Sequence, residues 1–292
     1  MPFGIPAPGF RLPHATHLGA ARLQVSDLEH SLEYYQDIIG LTVLSRDRTS
    51  AALGAHGGGS PLIHLEGQAG TKRPPRGGRY GLYHFAILVP DRTSLGRFVR
   101  HLGEHGTHLA SADHAVSEAL YLWDPDGLGI EVYADRPRAE WKVRAQEIYM
   151  TTERLNLQSL VAAGGDEAWN GLPAGTTLGH MHLQVSDLET AEAFYHAALG
   201  FDKIVWTFPG ALFLSAGGYH HHLGTNTWAA GVGPALENEA RLLEWELVLP
   251  SADDLERAAH SLAAAGVQVR KHEDSSVVTD PWNTAVRLTV VI

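Results

Sequence analysis

Hydrophobic and polar positions follow the same order in four stretches of the chain, which begin near residues 17, 80, 177 and 241. Each stretch opens with an alternating apolar segment, as expected of a β-strand with one buried face. A segment of about 12 residues with helical apolar spacing follows and ends at a glycine, and two or three short apolar runs come next. The closing glycines are Gly40, Gly106, Gly200 and Gly266. The pattern therefore predicts four βαβββ units and an α+β fold.

An internal repeat supports these units. Residues 23–29 and residues 183–189 both read LQVSDLE, at an offset of 160 residues (183 − 23). At the same offset, HFAILVPDRTSL at 84–95 is similar to EWELVLPSADDL at 244–255. Self-similarity at a fixed offset is the signature of a repeated structural unit.

The repeat divides the chain into two halves. We predict a first half of two units over residues 16–136 and a second half of two units over residues 177–292. Residues 137–176 do not follow the pattern, and we interpret them as a partly helical linker between the halves.

Composition and charge narrow the range of functions that the chain can have. The net charge of −11 argues against a nucleic-acid partner and against an anionic membrane surface. No apolar run reaches the roughly 20 residues that a membrane span needs. The chain has no cysteine, which excludes disulfides and thiolate metal sites, and we expect a cytoplasmic protein. Its 18 histidines indicate a capacity for metal binding, because imidazole is a common ligand of transition metals.

One carboxylate stands inside an apolar strand. Glu131 lies between Ile130 and Val132. A buried carboxylate without a partner is costly, so Glu131 needs a counter-charge or a metal ion.

The segment that leads to Glu131 carries a motif. From His114 it reads HAVSEALYLWDPDGLGIE, with Tyr121 at the centre. This motif and the four units resemble the vicinal oxygen chelate superfamily, and within it the type I extradiol ring-cleavage dioxygenases of the bacterial two-module catechol-2,3-dioxygenase kind. One departure is Ala112, two residues before His114, which the usual signature does not include. The resemblance covers nearly the whole chain and implies two half-open barrels, each made of two βαβββ units.

The resemblance also implies a set of metal ligands, which in this superfamily come from the first and last strands of the units. The corresponding first-strand residues are Ala20, His84, His180 and Glu244, and the last-strand residues are His64, Glu131, His222 and Arg287. We expect the metal on His84, Glu131 and His180, because two imidazoles and one carboxylate are the ligand set of non-haem Fe(II) oxygenases. Fe(II) is the expected ion and Mn(II) the alternative.

The pairing of the units stays open at this point. In a crossed pairing, units two and three share one barrel and bring together His84, Glu131, His180 and His222. In a sequential pairing, units one and two would combine His64, His84 and Glu131, and units three and four would combine His180, His222 and Glu244. We favour the crossed pairing because it uses the best-matched positions together.

The resemblance assigns further roles around the metal. It implies an acid–base histidine, His222, or His220 if the register slips by two, and it places His114 and Tyr121 against the substrate. We predict that residues 220–222 lie on a strand, so that His220 and His222 share a face and His221 is structural or exposed. The residues expected to bind the substrate are His220, Tyr219 and Trp228.

The resulting hypothesis is an extradiol dioxygenase that opens a catechol-type ring with O₂ during the breakdown of aromatic compounds. Its expected partners are a small aromatic diol and O₂, with a homo-oligomer as the expected assembly. Two alternatives remain: a metal-dependent isomerase or lyase of the glyoxalase kind, and a metal-free module that binds small molecules.

Overall fold

The computed structural model describes residues 3–229 and 231–291. Two eight-stranded β-sheets dominate these residues. Unit one comprises β1 (His17–Val25), α1 (Leu28–Glu33), a π-helix (Tyr34–Ile38), β2 (Thr42–Arg46), β3 (Ser50–Gly54) and β4 (Ile63–Gly67). Unit two comprises β5 (Gly81–Leu88), α2 (Arg92–Glu104), β6 (Ala110–Asp113), β7 (Ser117–Trp123) and β8 (Gly129–Asp135).

The second half repeats this order after a linker. The linker contains a 3-10 helix (Arg138–Glu140), β9 (Val143–Arg144), β10 (Glu147–Ile148) and α3 (Leu157–Ala163). Unit three comprises β11 (Thr177–Gln184), α4 (Leu188–Ala191), a π-helix (Glu192–Ala198), β12 (Asp202–Val205), β13 (Ala211–Ser215) and β14 (Leu223–Asn226). Unit four comprises β15 (Arg241–Leu249), α5 (Ala252–Ala264), β16 (Arg270–Lys271), β17 (Ser275–Thr279) and β18 (Ala285–Val290). The prediction of four βαβββ units is confirmed.

The helix of each of the four units begins at an N-capping residue. The side chains of Asp27, Asp91, Asp187 and Ser251 each accept a backbone N–H of the first helical turn. Such N-caps satisfy donors that the helix itself leaves unpaired. The helices of units one and three differ from the prediction, because each changes after its first turn into a π-helix.

The units pair across the two halves of the chain. The order β12-β13-β14-β11-β5-β8-β7-β6 joins units two and three in one sheet, which we call sheet A. The order β16-β17-β18-β15-β1-β4-β3-β2 joins units one and four in sheet B. The crossed pairing is therefore confirmed, and the sequential pairing is wrong. The division at residues 16–136 and 177–292 stays a prediction about how the chain divides into domains.

A buried tyrosine–aspartate contact links the two sheets at two places. The hydroxyl of Tyr35 in unit one donates to Asp124 in unit two at 3.1 Å, and that of Tyr195 donates to Asp280 at 2.6 Å. The other oxygen of Asp124 accepts the backbone N–H groups of Asp126 and Leu128. The DPDG segment of the motif is thus a turn that Asp124 stabilises and fastens to the other sheet. In the described residues, no helix is long and apolar enough to span a membrane.

Candidate metal and substrate site

Three strands of sheet A bring His84, Glu131 and His180 together. His84 lies on β5, Glu131 on β8 and His180 on β11, and one ligand atom of each lies within 4.8 Å of the others. Oε2 of Glu131 is 3.0 Å from Nε2 of His84 and 3.3 Å from Nε2 of His180. All three side chains are buried. The register explains the meeting, because β5 is antiparallel to β11 and parallel to β8.

The charges of this group suit metal binding. Burial alone would raise the pKa of Glu131, but the contacts with His180 and His84 outweigh it and hold that pKa well below its usual value. Burial lowers the pKa of His180 to about 4, although Glu131 opposes the shift. At neutral pH Glu131 is therefore a carboxylate and His180 a neutral imidazole, which are the forms that coordinate metal ions.

An unsatisfied nitrogen also fits a metal ion. Nε2 of His84 is buried and close to Glu131, yet within the described residues its orientation gives it no hydrogen-bond partner. Buried polar groups are normally paired, so this nitrogen calls for a ligand. A divalent ion between the three side chains would supply it.

The group lies at the wall of a cavity of about 270 Å³. The cavity, hereafter the pocket, is wide enough for a small aromatic molecule. Its polar wall includes His84, His114, Tyr121, Glu131, His180, His182 and His221. Its aromatic wall includes Tyr83, Trp123, Phe208, Phe213 and Trp228.

His114 and Tyr121 form a hydrogen-bonded pair in the pocket. Nδ1 of His114 donates to the carbonyl oxygen of Thr151 in the linker at 2.6 Å. A carbonyl can only accept, so Nδ1 carries the ring hydrogen, and Nε2, which has the lone pair, accepts the hydroxyl of Tyr121, also at 2.6 Å. Burial first, and then the charge of Glu131, raise the pKa of Tyr121 well above 10, so this hydroxyl keeps its proton. The linker thus orients a side chain of the pocket.

The last-strand position of unit three requires a correction. Ala86 on β5 is opposite Glu131, and the corresponding residue on β11, His182, is opposite Gly224. Gly224 and not His222 therefore corresponds to Glu131. A Cβ at Gly224 would lie 3.0 Å from the ring of His182, so glycine makes room for that ring.

The orientation of the three consecutive histidines also differs from the prediction. They precede β14 in a loop, after a turn at Gly217 and Gly218 with positive φ, so strand alternation does not apply to them. His221 lines the pocket, and its ring centroid is 4.0 Å from that of His180. His221 was expected to be structural or exposed, and that expectation is wrong.

His222 points away from the pocket. Its Nδ1 accepts the backbone N–H of Ala216 at 3.2 Å and lies 3.1 Å from Oγ of Ser215. Its ring stacks on Phe201 in the core. The structure therefore does not bring His222 to the metal ligands, and the prediction that it is the acid–base group loses its geometric basis.

The predicted substrate-binding residues divide into two sets. Trp228 lines the pocket and is half exposed at its mouth. Tyr219 and His220 lie behind the pocket wall and are buried there. The register alternative that made His220 the acid–base group therefore fails as well.

Sequence reasoning missed His182. This residue is buried in the pocket wall, its ring centroid is 4.9 Å from that of His84, and its Nε2 has no partner among the described residues. The signal was present, because residues two apart on a strand share a face and His180 was already a predicted ligand.

Sheet B holds an ion pair at the equivalent position. Arg287 donates to both carboxylate oxygens of Glu244, at 2.7 and 2.9 Å. Glu246 accepts the backbone N–H of Ala20 at 3.0 Å. The guanidinium supplies the positive charge that a metal would bring, and the metal-binding group found in the described residues lies in sheet A alone. His64, half-buried in sheet B, is not part of that group.

Comparison with known proteins identifies the family. A sequence profile described as Glyoxalase/Bleomycin resistance protein/Dioxygenase superfamily matches residues 11–132 and 177–281. The chain belongs to this superfamily. Within it, a Bacillus subtilis protein named Catechol-2,3-dioxygenase is 46% identical over 274 residues, which cover 92% of this chain and 95% of that protein. The Haemophilus influenzae protein named Lactoylglutathione lyase is 33% identical over 117 residues, which cover 37% of this chain and 85% of that protein.

Solved structures of the superfamily share the fold. A Bacillus subtilis structure provisionally described as a dioxygenase has a TM-score of 0.67 at 12% identity, with 96% of this chain and 86% of that chain covered. Glyoxalase I from Zea mays has a TM-score of 0.54 at 18% identity, with coverages of 94% and 92%. At these identities the likeness shows the fold alone, and it confirms the predicted α+β glyoxalase/dioxygenase architecture.

Proposed function

We propose that this protein is an extradiol dioxygenase, which opens a catechol-type ring with O₂ at one metal ion held by His84, Glu131 and His180. The observation that carries the proposal is the His–His–Glu group beside the paired His114 and Tyr121 in one pocket with an aromatic wall. The high identity to a protein named Catechol-2,3-dioxygenase supports the same reaction.

The ligand set favours Fe(II), with Mn(II) as the alternative. Two histidines and one carboxylate leave neighbouring coordination positions open, as in non-haem Fe(II) oxygenases. When bound, the ion would lower the pKa of a diol hydroxyl and hold the diol and O₂ in reacting geometry.

The pocket residues then have distinct tasks. The aromatic wall holds the ring of the substrate and keeps water away from it. Tyr121 keeps its proton and donates it to His114, so the lone pairs of its hydroxyl oxygen are left to accept a hydrogen bond from a substrate hydroxyl in the pocket. Thr151 fixes the tautomer of His114.

In this proposal, His221 is the acid–base group. It is the member of the 220–222 run that lines the pocket, and it lies against the ligand His180 without being part of the metal-binding group. A positioned imidazole that takes a hydroxyl proton and later returns it contributes about 10²–10⁴-fold to a rate.

The arrangement disfavours the glyoxalase-type alternative. That reaction was expected to use four protein ligands, but the fourth symmetry-related strand position is Gly224, which offers none. The metal-free alternative is disfavoured by the orphaned nitrogen of His84 inside an otherwise ordered group.

Anaerobic loading with Fe(II) or Mn(II) tests the proposal. We expect O₂ uptake with catechol and the yellow colour of a ring-fission product. The variant His180→Ala should lose metal and activity. His64→Ala, a histidine on the corresponding strand region of sheet B, is the matched control and should keep both. Metal binding without O₂ uptake across a panel of catechols and hydroquinones would refute the proposal.

The cellular setting remains part of the proposal. We expect a cytoplasmic enzyme in the breakdown of aromatic compounds, with a small aromatic diol and O₂ as its partners and a homo-oligomer as its assembly. The sequence predicts neither a nucleic-acid partner nor a membrane, given a net charge of −11.

A further inference from the structure

A chain of hydrogen bonds leads from the edge of the protein to the pocket. Nε2 of His220 is 2.8 Å from Oδ1 of Asp135, and Nδ1 of His220 is 2.7 Å from Nδ1 of His221. His220 is fully buried, whereas the side chain of Asp135 is 27% exposed. Both ring nitrogens of the buried His220 therefore have a side-chain hydrogen-bond partner, Asp135 on one side and His221 on the other.

The hydrogen positions along this chain follow from its carboxylate end. A carboxylate only accepts, so Nε2 of His220 carries the hydrogen. An imidazole that carries one hydrogen has its lone pair on the other nitrogen, so Nδ1 of His220 accepts and Nδ1 of His221 carries the next hydrogen. Nε2 of His221 is left with a lone pair, and His221 is the residue of the chain that lines the pocket.

Two tyrosines lie beside the carboxylate. The hydroxyl of Tyr219 donates to Oδ1 of Asp135 at 3.2 Å. The hydroxyls of Tyr133 and Tyr219 are 2.6 Å apart, which is consistent with Tyr133 donating to Tyr219. Trp141 of the linker covers the ring of His220 at a centroid distance of 5.3 Å. Asp135 accepts from both Tyr219 and His220, and its carboxylate alone sets the order of the hydrogens along the chain.

We propose that Asp135 and His220 are positioning residues that lock His221 in the tautomer with its lone pair on Nε2, facing the pocket. The inference rests on the proposed function in one respect, since His221 is there the group that takes a proton from the diol. The lone pair on Nε2 would accept that hydroxyl proton, and the bond to His220 would hold the ring in place during the transfer. Neither Asp135 nor His220 touches the substrate.

The tautomer can be measured directly. In the full-length, metal-free protein labelled with ¹⁵N-histidine, the long-range ¹H–¹⁵N spectrum shows which nitrogen of each ring carries hydrogen. We expect His221, identified by the signal lost in His221→Gln, to be protonated on Nδ1. In Asp135→Asn, the amide can donate to His220, and we expect the pattern of both rings to invert. Tyr219→Phe is the matched control: it removes the other hydrogen bond to Asp135 and should leave the tautomer unchanged.

Kinetics of the Fe(II)-loaded protein give the second measurement. We expect kcat of Asp135→Asn to fall about 10²–10⁴-fold, the contribution of a positioned base, while KM changes less than about threefold. Asp135→Glu keeps the accepting carboxylate and should recover part of that loss. If the role of Asp135 were purely structural, kcat would fall equally in Asp135→Asn and in Tyr219→Phe.

The outcomes separate the inference from the proposed function. A wild-type spectrum with hydrogen on Nε2 of His221 would overturn the inference, and so would an unchanged kcat in a folded Asp135→Asn variant. The wild-type spectrum needs no variant of Asp135, so misfolding of Asp135→Asn would not prevent this test. If the tautomer is as expected but the Fe(II)-loaded protein opens no catechol, the assignment stands and the proposed function fails.

Discussion

Gly179 on β11 provides a test of how closely β11 and β8 pack together beside the metal ligands. A Cβ built at this position lies 1.8 Å from the hydroxyl oxygen of Tyr133 and 3.1 Å from Cβ of Leu88. Gly179 lies at a register irregularity of β11, immediately before His180. Glycine inside a strand often marks such a bulge or a close approach.

The expected cost of Gly179→Ala follows from these contacts. An extra methyl in a packed core costs about 1–3 kcal/mol. Displacing Tyr133 also strains its hydrogen bond to Tyr219, which is worth about 0.5–1.5 kcal/mol. Together we expect a loss of about 1.5–4.5 kcal/mol in the free energy of unfolding. Because the ring of Tyr133 lies 4.9 Å from that of His180, the metal affinity should fall as well.

The assay is urea unfolding of both proteins, followed by Fe(II) titration. Gly103→Ala is the matched control, because Gly103 is an exposed residue of α2 with no heavy atom within 4 Å of a new Cβ. It should stabilise the protein by up to about 1 kcal/mol, since alanine favours a helix more than glycine does. The double variant Gly179→Ala/Tyr133→Phe removes the oxygen nearest the new methyl and should recover part of the loss. Equal stability of Gly179→Ala and the wild type would refute the packing described for β8 and β11.

Three further predictions concern the pocket, sheet B and the link between the sheets. Tyr121→Phe should lower kcat about 10²-fold with little change in metal content, because it removes a hydroxyl that His114 orients in the pocket. Steady-state kinetics and metal analysis check this. Arg287→Ala leaves the largely buried Glu244 without its counter-charge, and urea unfolding should show a loss of about 1–3 kcal/mol with unchanged catechol cleavage. Burial raises the pKa of Asp124 to about 7, so the folded protein holds a proton that the unfolded chain releases near pH 4. The stability contributed by that proton is full below about pH 4 and is lost as the pH rises to about 7. Asp124→Asn should flatten this part of the stability–pH curve, as thermal unfolding at several pH values would show.

The units and the metal ligands could be predicted from the sequence because they depend on local patterns. Strand alternation, helix N-caps and the 160-residue repeat specify each βαβββ unit without reference to its neighbours. The pairing of the units could not be predicted from these local patterns, because either pairing buries the same apolar faces. The crossed arrangement was favoured because it uses four matched positions together, those of His84, Glu131, His180 and His222. The sheet order confirmed the arrangement, although His222 does not reach the site.

The errors at the site have local physical causes. The run from His220 to His222 was interpreted as a strand, but the preceding Gly217 and Gly218 adopt positive φ and form a turn. The repeat itself indicated the correct position, because an offset of 160 from His64 leads to Gly224 (64 + 160). The contact between His114 and Thr151 could not be predicted, since it joins unit two to a linker that follows no repeat.

Incorporation of labelled oxygen tests the central claim most directly. The Fe(II)-loaded protein is given catechol under ¹⁸O₂, and the mass of the product is measured at early times. The account predicts a ring-opened product that takes up both atoms of one O₂ molecule, with the ring cut beside the diol, and no such product from Glu131→Ala. An unlabelled product, or oxygen consumption that yields only peroxide and intact ring, would contradict it.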